Sequence, residues 1–345
     1  MFTDLTDRQK FLLTLVIHEY IKTAQPIGSV NLVTQFKLDM SPATVRNEMG
    51  VLTELGYLRQ PHTSAGRVPT EEGYRYFVGK LIQQTDLPAN TRRTISHQFY
   101  QSRQDIEQWL RLAASVLAFQ SHAASLVTAP HPEQARVKHM ELIATRGRQV
   151  LMVLIMVGGE IHQQILTLAE PVSQEQLSQT AEHLTQLCEN GTTEQIKQIN
   201  DQLTALEREI LDVIGTEMTR SDTLLTGEIY LDGMTNVLAE PEFSGSEDAR
   251  RALKVLEERS LLEDLIARTG LSGSVGGVQV LIGGEGTWDD LRSCSIVLAR
   301  YGSPGLITVT LGVLGPMRMP YGRTISTVRF VAGLLSELVN GSLSG

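Results

Sequence analysis

Apolar residues at Phe11, Leu12, Leu15, Val16 and Tyr20 recur with the three-and-four spacing of one helical face. They follow Thr6, a good N-cap type, and Asp7 in the first turn. The pattern predicts a helix of about four turns, broken by Pro26 and Gly28. A second short helix is predicted from a Ser29 cap through Phe36, with Leu32, Val33 and Phe36 on its apolar side. After the turn Lys37–Met40 comes the sharpest helix start in the chain. Ser41 stands at the N-cap and Pro42 at the first helical position, where its missing N–H costs nothing. This helix is expected to run through Leu55 with Val45, Met49, Leu52 and Leu55 buried, and Gly56 is the expected left-handed stop. Gly56-Tyr-Leu-Arg59 then starts a strand, and Pro61-His-Thr-Ser-Ala-Gly-Arg-Val-Pro69 is a loop of small, polar and cationic residues. Thr70, with Glu71 and Glu72 in the first turn, opens a further amphipathic helix through Tyr74, Phe77, Val78 and Leu81.

Three short helices, the second and third joined by a tight turn, read as a helix-turn-helix. The strand and flexible basic loop behind them make it a winged helix, occupying residues 1–85. The exposed face of the third helix carries Ser41, Thr44, Arg46 and Asn47. A helix N-terminus with a serine cap can hold a phosphate, while Arg and Asn can make paired contacts to guanine and adenine edges in the major groove. Base readout is therefore expected from Thr44, Arg46 and Asn47, with Ser41 at a phosphate. The loop residues His62, Thr63, Ser64 and Arg67 are expected along the DNA backbone or minor groove, with Arg59 and Arg75 as further phosphate candidates. Taken alone, Ser41 suits an ordinary cap and Arg46 an ordinary solvated charge; the wing behind the helix turns the reading toward DNA. One such module touches few base pairs, so two copies reading an inverted repeat are expected, and with them a homodimer.

Beyond a polar linker near 83–93, residues 94–129 have a helical pattern with Ile106, Leu110, Ala113, Leu117 and Ala118 on one face. Val137–Thr145, Val150–Val157 and Ile161–Leu168 look like consecutive strands of an antiparallel sheet. Gln174–Glu189 and Glu194–Glu217 read as helices, Glu228–Leu231 as a short strand, and Glu247–Ala267 as a charged amphipathic helix. Strand patterns return at Val278–Ile282, Ser295–Tyr301 and Leu306–Leu314, and a helix over Arg323–Val339 closes the chain. Strands, helices and strands again suggest an α+β sheet domain interrupted by a mostly helical insertion. The stripe Leu253, Leu256, Leu261 and Leu265 suits either an intramolecular core or a subunit interface.

Charge sharpens this division. The whole 345-residue chain has 30 Lys and Arg against 39 Asp and Glu, a net charge of −9. Residues 1–80 hold nine basic and eight acidic side chains, so the acidity lies in the body and a polyanion would meet the N-terminal segment. Two distant cysteines, Cys188 and Cys294, exclude a disulfide scaffold or a cysteine zinc site and fit a reducing compartment. The acidic N-terminus is unlike a secretory signal, and the longest apolar run, Val150–Val157, is far too short to span a bilayer. A soluble, cytoplasmic protein with no membrane partner is expected. The glycine-rich stretches Gly270–Gly277 and Gly283–Gly286 match neither a P-loop nor a dinucleotide fingerprint. No nucleophile elbow or HExxH pair occurs, and the eight histidines, His131 and His139 among them, never stand at metal-ligand spacing beside cysteine. Neither an enzyme nor a cofactor or metal is expected. A regulator gated by a small effector in the C-terminal body is the alternative reading.

Ser41-Pro-Ala-Thr-Val-Arg-Asn47, Leu55-Gly-Tyr-Leu58, Pro61-His-Thr-Ser-Ala-Gly-Arg67, Pro69-Thr70 and Gly73-Tyr-Arg75 closely resemble the HrcA family of heat-inducible transcription repressors. The resemblance continues through Tyr230-Leu-Asp-Gly233 with Asn236, Pro241-Glu-Phe243, Ile282-Gly283 with Glu285, and Gly315-Pro-Met-Arg-Met319 with Tyr321. Gly286 and Pro320 depart from the family's usual Asn and Asp. The resemblance implies a GAF-like sensor domain formed by 94–173 and 270–345, with a dimerisation domain inserted at 174–269, which favours the interface reading of the leucine stripe. It further implies repression of chaperone operons of the groE and dnaK type through a palindromic operator. Inactivation by heat and chaperonin-assisted recovery of the active fold complete the implied behaviour.

Overall fold

The computed structural model describes residues 5–82, 86–102, 105–130, 134–157, 160–199, 203–223, 228–243, 247–258, 261–262, 264–265, 277–283, 289–303 and 307–343. The chain divides into two compact units. One comprises residues 1–127, 229–301 and 310–338; the other comprises 128–228, 302–309 and 339–345.

The first unit begins with α1 (Asp7–Thr23), closed by a capping box between Thr6 and Gln9. Its buried face is Leu12, Leu13, Val16 and Ile17, while Phe11, expected inside, is 48 % exposed. In α2 (Ser29–Phe36) the N-cap is Gly28, and Ser29 is the first helical residue, buried and making no side-chain cap. The next helix, α3 (Pro42–Glu54), starts at the Ser41 cap as expected. Leu55 is its C-cap and 37 % exposed, not a core residue, and Gly56 takes the left-handed stop at φ 83°. Two short strands, β1 (Leu58–Arg59) and β2 (Val68–Pro69), pair antiparallel. Next, α4 (Glu71–Tyr76) runs on into a π-turn (Phe77–Leu81). Leu12, Val16, Leu32, Val45, Met49, Leu52 and Leu58 fill the interior of this head.

Residues 94–129 do not form one helical run. They divide into α5 (Ala89–Gln101), α6 (Ile106–Ser121) and a strand, β3 (Ala124–Thr128). Asp105 caps α6 by accepting the Glu107 amide at 3.0 Å, and His122 ends it in the left-handed region at φ 52°. All five residues of β3 are buried. A short run buried on both faces has no alternation, so periodicity cannot separate it from a buried helix.

The second unit holds β4 (Val137–Ala144), β5 (Gln149–Met156) and β6 (Ile161–Thr167), an antiparallel meander in that order. It adds α7 (Gln174–Cys188), α8 (Thr193–Lys197) and α9 (Ala205–Thr223), so the helix expected over 194–217 is in fact two. Met140, Leu142, Val150, Met152 and Leu154 on one sheet face share a core with Leu177, Ala181, Leu184, Ile210 and Ile214 on the helices. Gln174 latches the layers, its amide donating to Leu142 O at 2.9 Å and accepting from Ala144 N at 2.8 Å.

Back in the first unit come β7 (Ile229–Asp232), α10 (Met234–Ala239) and α11 (Glu247–Glu257), followed by β8 (Val278–Ile282), β9 (Cys294–Ser303), β10 (Ile307–Pro316) and the C-terminal helix (Tyr321–Leu343). The five strands form one sheet in the order β7–β3–β10–β9–β8. Leu126, Leu256, Leu265, Leu281, Ile296 and Leu314 belong to one cluster. On the alternate register of β9, the Ser295 hydroxyl reaches Tyr321 Oη of the C-terminal helix at 2.7 Å.

The domain boundaries therefore differ from those expected. The strands at 137–167 share a core with α7–α9 in the compact unit that holds 128–228, and β7 lies in the five-stranded sheet of the other unit. The leucine stripe is also corrected. Leu256 and Leu265 are buried in their own chain's core and Leu261 packs against it. The side chain of Leu253, residue His131, the last residues of the predicted 247–267 helix and the glycine stretches 270–276 and 284–286 lie outside the described residues.

Candidate nucleic-acid interface

The N-terminus of α3 is built by local hydrogen bonding. Ser41 Oγ accepts the Thr44 amide at 3.1 Å, and the two hydroxyls lie 2.9 Å apart. Thr44 is half-buried and closes the cap, whereas Ser41, Arg46 and Asn47 are exposed. Val45 and Met49 point the other way, into the head, so the helical period itself turns Arg46 and Asn47 outward. Behind α3, Glu48 pins it to α1, accepting from Gln9 Nε2 at 3.3 Å and from Arg8 Nη1 at 3.5 Å. Glu19 of α1 likewise accepts from Gln35 of α2 at 2.9 Å.

The loop between β1 and β2 is tied at its stem and open at its tip. Ile27 and Arg67 exchange two backbone hydrogen bonds of 2.8 Å, which anchors the hairpin to the entry of α2. The Gln60 side-chain amide donates to Thr63 O at 2.8 Å and to Ala65 O at 3.0 Å, lacing the loop from within. Gly66 is obligatory here: a Cβ would stand 2.4 Å from the Ile27 backbone. His62, Thr63 and Ser64 remain exposed at the tip, as does Arg59 on β1.

Two of the expected cations are used inside the molecule. Arg67 is half-buried and donates from Nε to Thr53 Oγ1 at 3.0 Å, fastening the hairpin to the end of α3. Arg75 is ion-paired to Glu71 and Glu72 and donates to Ile282 O at 3.2 Å, so its guanidinium is engaged within the chain. Gln60 was not legible as a positioning residue, because only the folded loop brings its amide to two carbonyls. Among the described residues no cluster of three His, Cys, Asp or Glu side chains is placed to hold a metal ion. No described helix is long and apolar enough to cross a membrane.

Comparison with known proteins gives this head its context. Residues 107–325 match the family described as "HrcA protein C terminal domain". Among curated relatives, "Heat-inducible transcription repressor HrcA" from Roseiflexus castenholzii is 46 % identical, the match covering 98 % of this chain and 96 % of the relative. The protein of the same name from Chloroflexus aurantiacus is 42 % identical over 97 % and 94 %. That from Pelotomaculum thermopropionicum is 35 % identical over 99 % of both chains. A solved structure described as a hypothetical protein shares the fold, with a TM-score of 0.65 at 23 % identity over 98 % of this chain and 100 % of the other. The chain is thus of the transcription-repressor class. Within it, the chain belongs to the HrcA family of heat-inducible repressors.

Proposed function

We propose that this repressor reads an inverted-repeat operator as a homodimer through a winged helix-turn-helix formed by α1–α3 and the β1–β2 hairpin. The observation that carries the reading is the pairing of exposed Arg46 and Asn47 at the start of α3 with the exposed His62–Ser64 tip. With α3 in the major groove, Arg46 is of a type to pair with guanine O6 and N7, and Asn47 with adenine N6 and N7. The α3 N-terminus with Ser41 meets a phosphate. Arg59 and the tip residues follow the sugar-phosphate edge. Thr44 and Arg67 act as positioning residues, the first through the cap and the second through the hairpin stem.

The dimer reading draws support from the outward face of the β4–β5–β6 sheet. There Ile143, Leu151 and Ile165 form one cross-strand row, and Ile155 with Ile161 continues the apolar surface. Ile143, Ile161 and Ile165 are exposed in the single chain. Unit 128–228 is accordingly proposed as the dimerisation domain, inserted into a GAF-like core around the five-stranded sheet. Chaperone operons are the proposed targets, with heat removing the DNA-competent state and a chaperonin restoring it. A fold of only a few kcal/mol stability can lose that state over a modest temperature rise.

Footprinting of the DNA upstream of the chaperone genes and of the repressor's own gene tests the reading. Two protected half-sites related by a two-fold axis are expected, lost on heating in step with the protein's thermal transition. No protection, or binding that persists through the transition, would overturn it.

A further inference from the structure

A cavity of about 520 Å³ opens within the first unit, between α1, the π-turn and the start of the C-terminal helix. That volume falls in the range that small organic ligands occupy. Ile21, Phe77, Leu81 and Pro320 provide apolar walls. The charged groups at the cavity are of one sign, Lys22 and Arg323, and no carboxylate lines it among the described residues. His18 also lines the cavity and packs edge-on against Phe77, ring centroids 5.4 Å apart. Burial, and secondarily the Lys22 charge, hold the His18 imidazole below its ordinary pKa, so at neutral pH it offers a neutral hydrogen-bonding ring. One donor of Arg323 is committed to Gln120 Oε1 at 2.6 Å, which fixes the guanidinium at the rim.

Gly322 and Arg323, at the start of the C-terminal helix, also line the cavity. In the first turn of the C-terminal helix, Tyr321 N bonds to Met319 O at 2.8 Å and Thr324 N to Pro320 O at 3.0 Å. The amides between them, of Gly322 and Arg323, fall where helix geometry supplies no carbonyl. The space beside Gly322 is open, with nothing within 4 Å of the point a Cβ would occupy.

We infer that this cavity binds a small amphipathic carboxylate, its acid group at Lys22, Arg323 and the first-turn amides and its apolar body against Ile21, Phe77 and Leu81. The site is distinct from the DNA-reading face and does not depend on that reading. It lies mostly against the N-terminal head and not within the C-terminal body, where the effector-gated alternative places its ligand, and a bound acid there bridges α1 to the C-terminal helix.

Calorimetric titration of the full chain with decanoate and with naphthoate tests this, with decanol and naphthalenemethanol as neutral analogues. Saturable binding of at least one acid is expected, and its neutral analogue should bind roughly tenfold more weakly or worse. Lys22→Gln with Arg323→Gln removes the cations from exposed positions, and Gly322→Leu fills the cavity. Each is expected to weaken the acid by about tenfold or more while circular dichroism reports an unchanged fold. Absence of saturable binding by both acids up to millimolar concentration would overturn the assignment. So would equal binding of the neutral analogues, or unchanged acid affinity in either folded variant.

Discussion

Arg46 and Arg75 stand less than thirty positions apart and are the same residue type, yet their surroundings assign them opposite roles. Arg46 projects from the outer face of α3, while Arg75 is held by Glu71, Glu72 and the Ile282 carbonyl. Arg46→Ala is expected to cost about 1–3 kcal/mol of operator affinity and to relax sequence preference. Arg75→Ala should leave operator affinity unchanged. Fluorescence anisotropy on operator and scrambled duplexes separates the two, and equal losses would count against the placement of α3. Gly66 is constrained by shape, not by charge. Because an alanine Cβ would sit 2.4 Å from backbone atoms of Ile27, Gly66→Ala must displace the hairpin from the α2 entry. A loss of about 1–3 kcal/mol in unfolding free energy is expected, read by chemical denaturation, with a weaker operator complex in parallel.

Elements with strong local signals agree most closely with their sequence. The boundaries of α3 follow from Ser41, Pro42 and Gly56, each acting on its own backbone neighbours. Those of β3 do not, since its strand state depends on neighbours β7 and β10, which lie far along the chain. At the start of α9, Thr204 and Glu207 form a cap, the Glu207 carboxylate accepting the Thr204 amide at 2.7 Å. A hydrogen bond with the His183 ring at 2.6 Å draws Glu207 below the usual carboxylate range, outweighing the opposing effect of burial. A carboxyl lowered by folding stabilises the fold above its unfolded pKa and loses that contribution as pH falls through the lowered folded value. Glu207→Gln should therefore flatten part of the acid side of the stability–pH curve. Thermal melts of both proteins from neutral to acidic pH check this; parallel curves would show that the pair contributes nothing.

At the scale of the whole molecule, the outward apolar row of the three-stranded sheet is the face on which the proposed dimer is tested. Three exposed isoleucines, Ile143, Ile161 and Ile165, beside half-buried Leu151 and Ile155 on one sheet face make an apolar patch of the kind that marks interaction surfaces. Ile161→Glu with Ile165→Glu places two charges on that face, at residues 57 % and 62 % exposed in the single chain. The variant should fold normally but dissociate, its dimer constant rising roughly a hundredfold, as sedimentation equilibrium would report. An unchanged association state would send the search for the subunit interface elsewhere. The leucines at 256 and 265 are not that interface, because they are committed to the core beneath the five-stranded sheet.

What the amino-acid order alone determined was the N-terminal head: its three helices, its hairpin and the outward placing of Ser41, Arg46 and Asn47 on α3. Caps, prolines and left-handed glycines act over one helical turn, so their consequences are written where they stand. Only the tertiary structure decided that Arg67 and Arg75 serve the fold, and that the strands at 137–167 close on the helices after them. It alone made Ala124–Thr128 a strand. Each of these outcomes depends on which distant segment arrives as the partner, and hydrogen bonding and apolar burial select that partner across separations that no local pattern encodes.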